Sequence, residues 1–175
     1  WFLQENILGK IIGDEFNGEE FVDNYTNIMV NSGIRGDKKS VYYTLIRKNN
    51  PFPVFPGEKF IGESTIHQKI SRNYKSVFIN EPIYISEYLE DGLTVAGKKM
   101  RFQNPLGGIQ NSIEFMDESV NLHFKLKKII LYTSYCIHLN RNLIEIVSES
   151  RLPVLTTMLI PISYCYYFFI KRKIY

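Results

Sequence analysis

A lysine and a glutamate are the residues of this chain whose types and spacing could do chemistry. Lys48 ends an apolar, aromatic and β-branched run that begins at Ser40, and Glu63 lies in the next predicted element, a helix over residues 58–70. In phosphate-transferring enzymes a strand lysine reaches the phosphate oxygens of a nucleotide, and a helix glutamate holds that lysine in position. The pair therefore predicts a nucleotide site, provided that the two side chains meet.

An ordinary surface pair is the alternative for Lys48 and Glu63. Most lysine and glutamate side chains are solvated, and an exposed ion pair contributes at most about 1 kcal/mol to stability. In that case the chain would be a non-enzymatic α+β interaction domain. Geometry separates the two hypotheses, because a nucleotide site requires both side chains to face one cleft between a sheet and the helix.

The elements that must position this pair are predicted to form a sheet with one helix packed on it. Turn residues separate the apolar runs and predict five strands. These strands are expected near residues 19–22, 25–31, 40–48, 74–79 and 83–88. Helical spacing of apolar residues also predicts a short helix over residues 1–12 and another at about 110–126. The fold class is therefore α+β, an antiparallel sheet of about five strands with one packed helix and a helical C-terminal segment.

Several segments resemble the ecdysteroid kinase-like family, also called CHK kinase-like. Residues 79–102 resemble its hinge, in which an apolar strand ends in an acidic residue and a glycine-aliphatic step and a basic stretch follow. Residues 45–51 are similar to its strand lysine followed by proline, and residues 60–70 to its glutamate helix. Residues 23–29 look like its phosphate-facing turn, and residues 112–126 like the first helix of its C-lobe. The resemblance covers roughly residues 1–126.

The resemblance implies a protein-kinase-like N-lobe and an ATP-dependent transferase acting on a hydroxyl group of a small molecule, as in choline and aminoglycoside kinases. ATP and Mg²⁺ are the cofactors that it implies. It also implies a set of ATP-binding residues. They are Lys48, Glu63, Asn24, Tyr25, Thr26, Glu87, Tyr88 and Leu89.

The catalytic parts of that family are not present. The family carries its catalytic aspartate on a His-Gly-Asp loop and a metal-binding aspartate further on, whereas this sequence has no His-Gly-Asp and no aspartate after Asp117. We therefore expect a fragment truncated before the catalytic loop, with no catalytic residue and no metal ligand of its own. By itself the chain is predicted not to transfer phosphate.

Composition and charge divide the chain. With 45% hydrophobic residues it is not a disordered protein. Basic residues outnumber acidic ones eight to three from residue 118 onward, whereas acidic residues slightly exceed basic ones before it. The predicted regions are a kinase-like N-lobe (1–89), a hinge with the first C-lobe helix (90–128) and an apolar and basic tail (129–175).

The sequence also predicts the location and the partners of the protein. Two cysteines and the lack of a secretory signal in the sequence favour a cytoplasmic protein with reduced thiols. The basic stretch 98–101 has no interleaved aromatic residues, so no nucleic-acid partner is expected. A small-molecule substrate is expected for the intact family.

The apolar run 154–170 raises a third hypothesis, a small membrane-anchored protein. Three basic residues, Lys171, Arg172 and Lys173, follow the run, as at the end of a transmembrane segment. The run is at the short end of the roughly 20 residues that a span needs, and it contains Pro161. A buried helix or hairpin, or a tail without a native structural role, is the favoured interpretation.

Overall fold

The computed structural model describes residues 1–87 and 93–174, which group into two compact units. Unit 1 comprises Trp1–Pro51 and Ile66–Gly92, and unit 2 comprises Phe52–Thr65 and Leu93–Tyr175. Statements about either unit refer to its described residues. Both helices and strands occur, so the predicted α+β class is confirmed.

Unit 1 is built on a three-stranded mixed sheet. Its strands are β1 (Phe2–Glu5), β2 (Glu20–Asp23) and β3 (Ser76–Ile85), in the order β1-β3-β2. β3 pairs parallel with β1 and antiparallel with β2. Phe78 is fully buried at the centre of this sheet, with ring centroids 5.2 Å from Phe16 and 5.4 Å from Phe21. These aromatic contacts form the core beneath β2 and β3.

Three helical segments accompany the sheet. They are a π-helix at Thr26–Asn31, α1 (Thr44–Asn49) and α2 (Ser64–Ser71). In α2, Ile66 and Ile70 are buried one turn apart, which is the spacing of a helix that packs through one face. By contrast, α1 has no buried residue.

Unit 2 is helical in its described part. Its helices are α3 (Leu93–Phe102), α4 (Pro105–Glu114), α5 (Leu122–His138), α6 (Leu143–Ser148) and α7 (Pro153–Ile174). Their starts carry recognisable signals: Pro105 occupies the first turn of α4, Asn121 caps α5, and Asn142 with Glu145 forms a capping box at α6. The core lies between α5 and its neighbours and includes the fully buried Ile129, Tyr132, Cys136 and Ile146.

The predicted five-stranded kinase N-lobe sheet is not confirmed, because two of its strands are helical. Residues 25–31 contain the whole π-helix, which starts where the Asn24 side chain accepts a hydrogen bond from the Thr26 amide (2.8 Å). Residues 40–43 belong to no strand, and residues 44–48 lie in α1. Leucine, arginine and lysine in α1 are good helix formers, and no neighbouring strand pairs with them.

The other two predicted strands at 74–79 and 83–88 are one strand, β3. β3 continues through the Asn-Glu-Pro sequence of residues 80–82 that separates the two predicted strands, with an irregularity where Pro82 pairs with Leu3. Proline lacks an amide proton, and a bulge is a place in a strand that tolerates this. Only the strand predicted at 19–22 lies close to its position in the structure, as β2.

One predicted helix was wrong, and the other two were wrong at their boundaries. Residues 1–12 form β1 and a turn, in which the Asn6 side chain accepts from the amides of Leu8 and Lys10 (3.0 Å each). The helix expected over 58–70 begins only at Ser64. The helix expected at 110–126 is interrupted between α4 and α5, where Phe115, Met116 and Val120 are buried outside a helix. Apolar residues in this stretch therefore have helical spacing in the sequence, although no continuous helix contains them.

Residues 129–174, predicted as a tail of uncertain structure, form the rest of α5 together with α6 and α7. Within the described part of the chain, α7 is long and apolar enough to cross a membrane by length and composition alone.

Candidate functional site

The structure places Lys48 and Glu63 on exposed positions. Lys48 lies in α1, so the strand that should have ended in this lysine does not exist there. Glu63 lies in the turn before α2 instead of within the helix. The two residues belong to different units, and their pairing stays a prediction.

The predicted phosphate-facing residues Asn24, Tyr25 and Thr26 contribute to the packing of unit 1. The Asn24 amide donates to the Ser71 carbonyl oxygen (2.5 Å). The buried Thr26 hydroxyl donates to Gln68 Oε1 and lies 3.0 Å from the Ser71 hydroxyl. The side chains of Asn24 and Thr26 thus tie the start of the π-helix to α2. Their predicted role in ATP binding is untested.

The predicted hinge residues lie at the end of unit 1. Glu87 is exposed and follows β3. Tyr88 and Leu89 lie outside the described residues. Nothing in the described hinge therefore bears on adenine binding.

His67 lies in an aromatic cluster that sequence reasoning did not foresee. Its ring contacts Trp1 (centroids 4.7 Å apart) and stacks on Tyr42, whose hydroxyl lies 2.5 Å from His67 Nδ1. Burial, with a smaller contribution from the Arg47 charge, lowers the pKa of His67 to about 4. The ring is therefore neutral at pH 7, and it is a partly buried packing group whose polar partner is the Tyr42 hydroxyl.

Unit 2 contains a cavity of about 90 Å³ beside the side chain of Lys128, here called the Lys128 cavity. Its walls come from the segment before α2 and from α3, α4 and α5. The residues that line it are Phe60, Gly62, Ser64, Arg101, Asn104, Gly107, Gly108, Asn111, Ser112, Lys128, Leu131 and Tyr135.

Glu58 and Asn104 fix one wall of the Lys128 cavity. The Glu58 carboxylate accepts hydrogen bonds from the amides of Leu106 (2.6 Å) and Gly107 (2.7 Å) in the first turn of α4. The Asn104 side-chain oxygen accepts from the amides of Lys59 (2.7 Å) and Phe60 (3.2 Å). A carboxylate of the chain itself therefore already occupies the positive end of the α4 dipole.

Two glycines of α4 let other groups approach the helix closely. A Cβ atom at Gly107 would lie 2.6 Å from the Phe60 carbonyl oxygen, and one at Gly108 would lie 2.6 Å from the Tyr135 ring. Both distances are far shorter than a normal contact. Glycine at these two positions is thus what allows the wall residues Phe60 and Tyr135 to pack against α4.

Lys128 is buried on α5 and is held by an amide. Its side chain donates from Nζ to Asn111 Oδ1 (2.6 Å), and Nζ lies 4.2 Å above the Phe115 ring. The Asn111 amide nitrogen in turn donates to the hydroxyls of Ser64 and Thr65 (2.9 Å each). This arrangement fixes which end of Asn111 faces the lysine, because an ammonium group can only donate.

The Lys128 cavity is electropositive. Burial is the main cause that lowers the pKa of Lys128 to about 7, and the charges of Arg101 and Lys127 lower it further. Arg101 also lines the cavity, and none of the described residues that line it is acidic. Two cationic side chains with hydroxyl and amide groups between them can bind a small anion.

Sequence reasoning missed this site, although one signal was available. Lys128, Tyr132 and Tyr135 fall on one face of α5 at the i, i+4, i+7 spacing of a core stripe, and all three are buried. A lysine in such a stripe is unusual, because lysine is almost never fully buried without a partner. Arg101 was noticed only as part of a short basic stretch.

No metal site is present in the part of the chain that the structure describes, in the sense of three or more histidine, cysteine, aspartate or glutamate side chains placed to hold an ion. The Mg²⁺ implied by the family resemblance thus has no preformed cluster among those residues.

Comparisons of the chain with protein-family models, with curated proteins and with solved structures found no match. The resemblance to the ecdysteroid kinase-like family therefore has no support from these comparisons and stays a prediction.

Proposed function

We propose that unit 2 is a binding module for a small anion that carries a carboxylate or phosphate group and occupies the Lys128 cavity. The observation that carries this proposal is a buried lysine that faces a cavity together with an arginine, with no acidic residue among the described lining residues. Burying a cation without a counter-charge is costly. A bound anion would offset this cost and raise the pKa of Lys128 again.

The chemistry of the cavity favours a particular orientation of the ligand. The anionic group lies between Lys128 and Arg101, since the arginine fork matches a carboxylate or phosphate group geometrically. The Ser64 hydroxyl provides a further polar contact. Phe60 and Leu131 provide apolar surface for the remainder of the ligand. This function needs no catalytic group and agrees with the interaction-domain hypothesis.

Titration of the full chain with inorganic phosphate and with acetate, followed by calorimetry, tests the proposal, with acetamide as the uncharged comparison. Binding is expected for the two anions and not for acetamide. Lys128→Met and Arg101→Gln should each remove at least about tenfold of the affinity, because a hydrogen bond to a charged group contributes about 1.5–3 kcal/mol.

Lys127→Gln is the matched control, because it removes one exposed positive charge from the adjacent position of α5. It should leave the affinity nearly unchanged. Equal loss in Lys127→Gln and Lys128→Met would show a general charge effect and contradict the proposal, as would the absence of anion binding by the parent chain.

A second candidate function is that of a kinase-like N-lobe related to ATP-dependent small-molecule phosphotransferases. Its support is the order of the resembling segments over residues 1–126. Binding of a fluorescent ATP analogue in the presence of Mg²⁺ tests it. Lys48→Met and Glu63→Gln should both abolish this binding, whereas Lys128→Met should not. Measurable phosphorylation of a small hydroxyl compound by the chain alone would contradict the predicted catalytic incompleteness.

A further inference from the structure

Helix α7 has one face in the core of unit 2. Thr156, Ser163, Tyr167 and Ile170 are buried on this face. The Ser163 carbonyl oxygen accepts a hydrogen bond from the Ser134 hydroxyl of α5 (3.3 Å), and Tyr167 and Ile170 belong to the same apolar cluster as α5. One side of α7 is thus buried in the core of unit 2.

The opposite face of α7 is exposed and apolar. Val154 is 73% exposed and Ile162 is 53% exposed, and together with Met158 they recur at every fourth position, so that they share one face of the helix. Phe168 and Phe169 continue this exposed surface toward the C-terminal end. No residue from Pro153 to Ile170 is charged. The outer face of a helix on a soluble protein is ordinarily polar and charged, so this surface is incompletely covered as it stands.

Basic side chains adjoin the end of the exposed apolar face. Lys171, Arg172 and Lys173 are all exposed in the last turn of α7. Lys173 Nζ lies 4.4 Å from the centre of the exposed Phe169 ring, so a cation and an apolar ring lie side by side. The order along the helix is therefore an apolar stripe, then aromatic rings, then a cluster of positive charge.

We propose that the exposed face of α7 docks on the surface of an anionic lipid membrane. An interfacial helix buries its apolar side chains at the boundary between headgroups and acyl chains, and basic residues beside it bind the anionic headgroups. The uncharged apolar stripe fits the boundary with the acyl chains, and the three adjoining cations fit the anionic headgroups. The tyrosine and phenylalanine rings near the basic end are of the type that favours the interface.

The helix lies on the membrane instead of crossing it. Crossing would pull the buried face of α7 out of unit 2 and break its contacts with α5, among them the hydrogen bond from Ser134 to Ser163 and the ring contact of His138 with Tyr167. Docking through the exposed face alone leaves these contacts intact. The bound protein is therefore peripheral and should leave the membrane when the electrostatic attraction is screened.

Co-sedimentation of the full chain with lipid vesicles tests the proposal. Vesicles of phosphatidylcholine with phosphatidylserine should bind the protein, and vesicles of phosphatidylcholine alone should bind it far more weakly. High salt and alkaline carbonate should both release it. Retention after carbonate treatment would overturn the peripheral proposal in favour of a spanning helix.

Two triple variants assign the binding to the face. Lys171→Gln, Arg172→Gln and Lys173→Gln combined should weaken binding to the anionic vesicles roughly a hundredfold, since each basic residue near the surface contributes about a factor of five. Met158→Ser, Ile162→Ser and Phe169→Ser combined should reduce binding to both kinds of vesicle. All six side chains are exposed, and the far-ultraviolet circular dichroism should stay unchanged.

Matched variants elsewhere on the chain provide the controls. Lys10→Gln, Lys48→Gln and Lys69→Gln remove the same number of exposed charges, and Leu8→Ser, Val41→Ser and Val54→Ser remove exposed apolar side chains. Neither combination should alter vesicle binding by more than about twofold, because neither removes charge or apolar area from the docking face. Equal loss in the control and α7 variants would overturn the proposal. So would self-association in the absence of lipid that the apolar α7 variant abolishes, since the face would then be covered by a second copy.

Discussion

Each of the two units withdraws a basic side chain from water, His67 in part and Lys128 almost completely. His67 in unit 1 is neutral at pH 7 among aromatic rings and has the Tyr42 hydroxyl as its polar partner. Lys128 in unit 2 lies beside a cavity that a second cation also lines. The histidine needs only a modest pKa shift to be buried without charge, whereas the lysine needs a large one. A buried lysine therefore points more strongly to a binding role than a buried histidine does.

The hydrogen-bonded polar side chains of the two units also differ in whether they border a cavity. In unit 1, the Thr26 hydroxyl bonds to Gln68 and Ser71 within a fully buried group, in which the Gln68 amide nitrogen has no hydrogen-bond partner among the described residues. In unit 2, Asn111 bonds to two hydroxyls and to Lys128, and this group borders open volume. The unit 1 group joins two helical segments in the interior, whereas the unit 2 group ends at a cavity and leaves room for a ligand.

The largest expected effect separates the two units by their stability. Phe78→Ala removes the central ring of unit 1 and should lower its free energy of unfolding by about 3–5 kcal/mol. Trp1 is the single tryptophan and lies in unit 1, so its fluorescence reports on that unit during urea unfolding. The fluorescence transition should move to lower urea, while the circular dichroism transition, dominated by the helices of unit 2, moves less. Val22→Ala, at an exposed position of β2, is the control and should leave both transitions in place.

Acid tests the partly buried His67 of unit 1. The pKa of His67 is about 4 in the folded chain, against an ordinary value of 6.5, so the unfolded chain binds more protons between these values. Stability from this group is present above pH 6.5 and is lost as the pH falls toward 4, by about 3 kcal/mol in total. His67→Phe should remove this part of the pH dependence of the tryptophan-monitored unfolding free energy. A variant with the same acid profile as the parent chain would show that His67 titrates normally.

Alkali tests the buried lysine of unit 2. Lys128 loses a positive charge as the pH rises, whereas His67 gains one as the pH falls. Because the pKa of Lys128 is lowered to about 7, the unfolded chain again binds more protons above that value, and stability should rise with pH. Between pH 7 and 8.5 the gain is about 1–2 kcal/mol, and it should be absent in Lys128→Met. Circular dichroism during urea unfolding at several pH values measures it. Saturating phosphate should reduce the gain in the parent chain if the anion restores the lysine charge. An identical pH slope in the parent chain and the variant would contradict the low pKa.

The smallest expected effect concerns the start of α5, the helix that carries Lys128. The Asn121 side chain accepts from the Phe124 amide (2.9 Å), and Asn121→Ala should cost about 1 kcal/mol. The loss should appear in the circular dichroism transition and leave the tryptophan transition nearly unmoved. Asn121→Ser retains a capping oxygen and should recover most of the lost stability. If alanine and serine behaved alike, the cap would not contribute to the stability of unit 2.

The fold class could be predicted from the sequence, but the pairing of strands could not. The apolar runs that became β2 and β3 were recognised, because alternation along a strand is a local pattern. The parallel pairing of β1 with β3 joins Phe2 to Ile79, which are distant in sequence, and nothing near residue 2 indicates it. The helical spacing within residues 1–12 outweighed the turn chemistry of Asn6, and this produced the wrong helix.

The candidate site was less predictable than the fold. Asn24 and Thr26 were assigned to a phosphate site from the resemblance to the ecdysteroid kinase-like family, and in the structure their side chains bond to residues of α2. Lys128 was noticed only as the last residue of the predicted region 90–128, because charge counts do not show which face of a helix a lysine occupies. The position of Lys128 in the same stripe as Tyr132 was readable from the sequence, but the cavity beside it depends on Gly107, Gly108 and a distant segment.

The two cysteines of the chain differ in a way that has practical use. Cys136 is buried, and burial raises the pKa of its thiol to about 11, so it reacts slowly with alkylating reagents. Cys165 is exposed on the surface of α7 that bears Ile162 and Phe169. A maleimide dye at neutral pH would thus attach at one place without any engineered change. If the dye is sensitive to its environment, its emission maximum would shift in real time when that surface becomes buried.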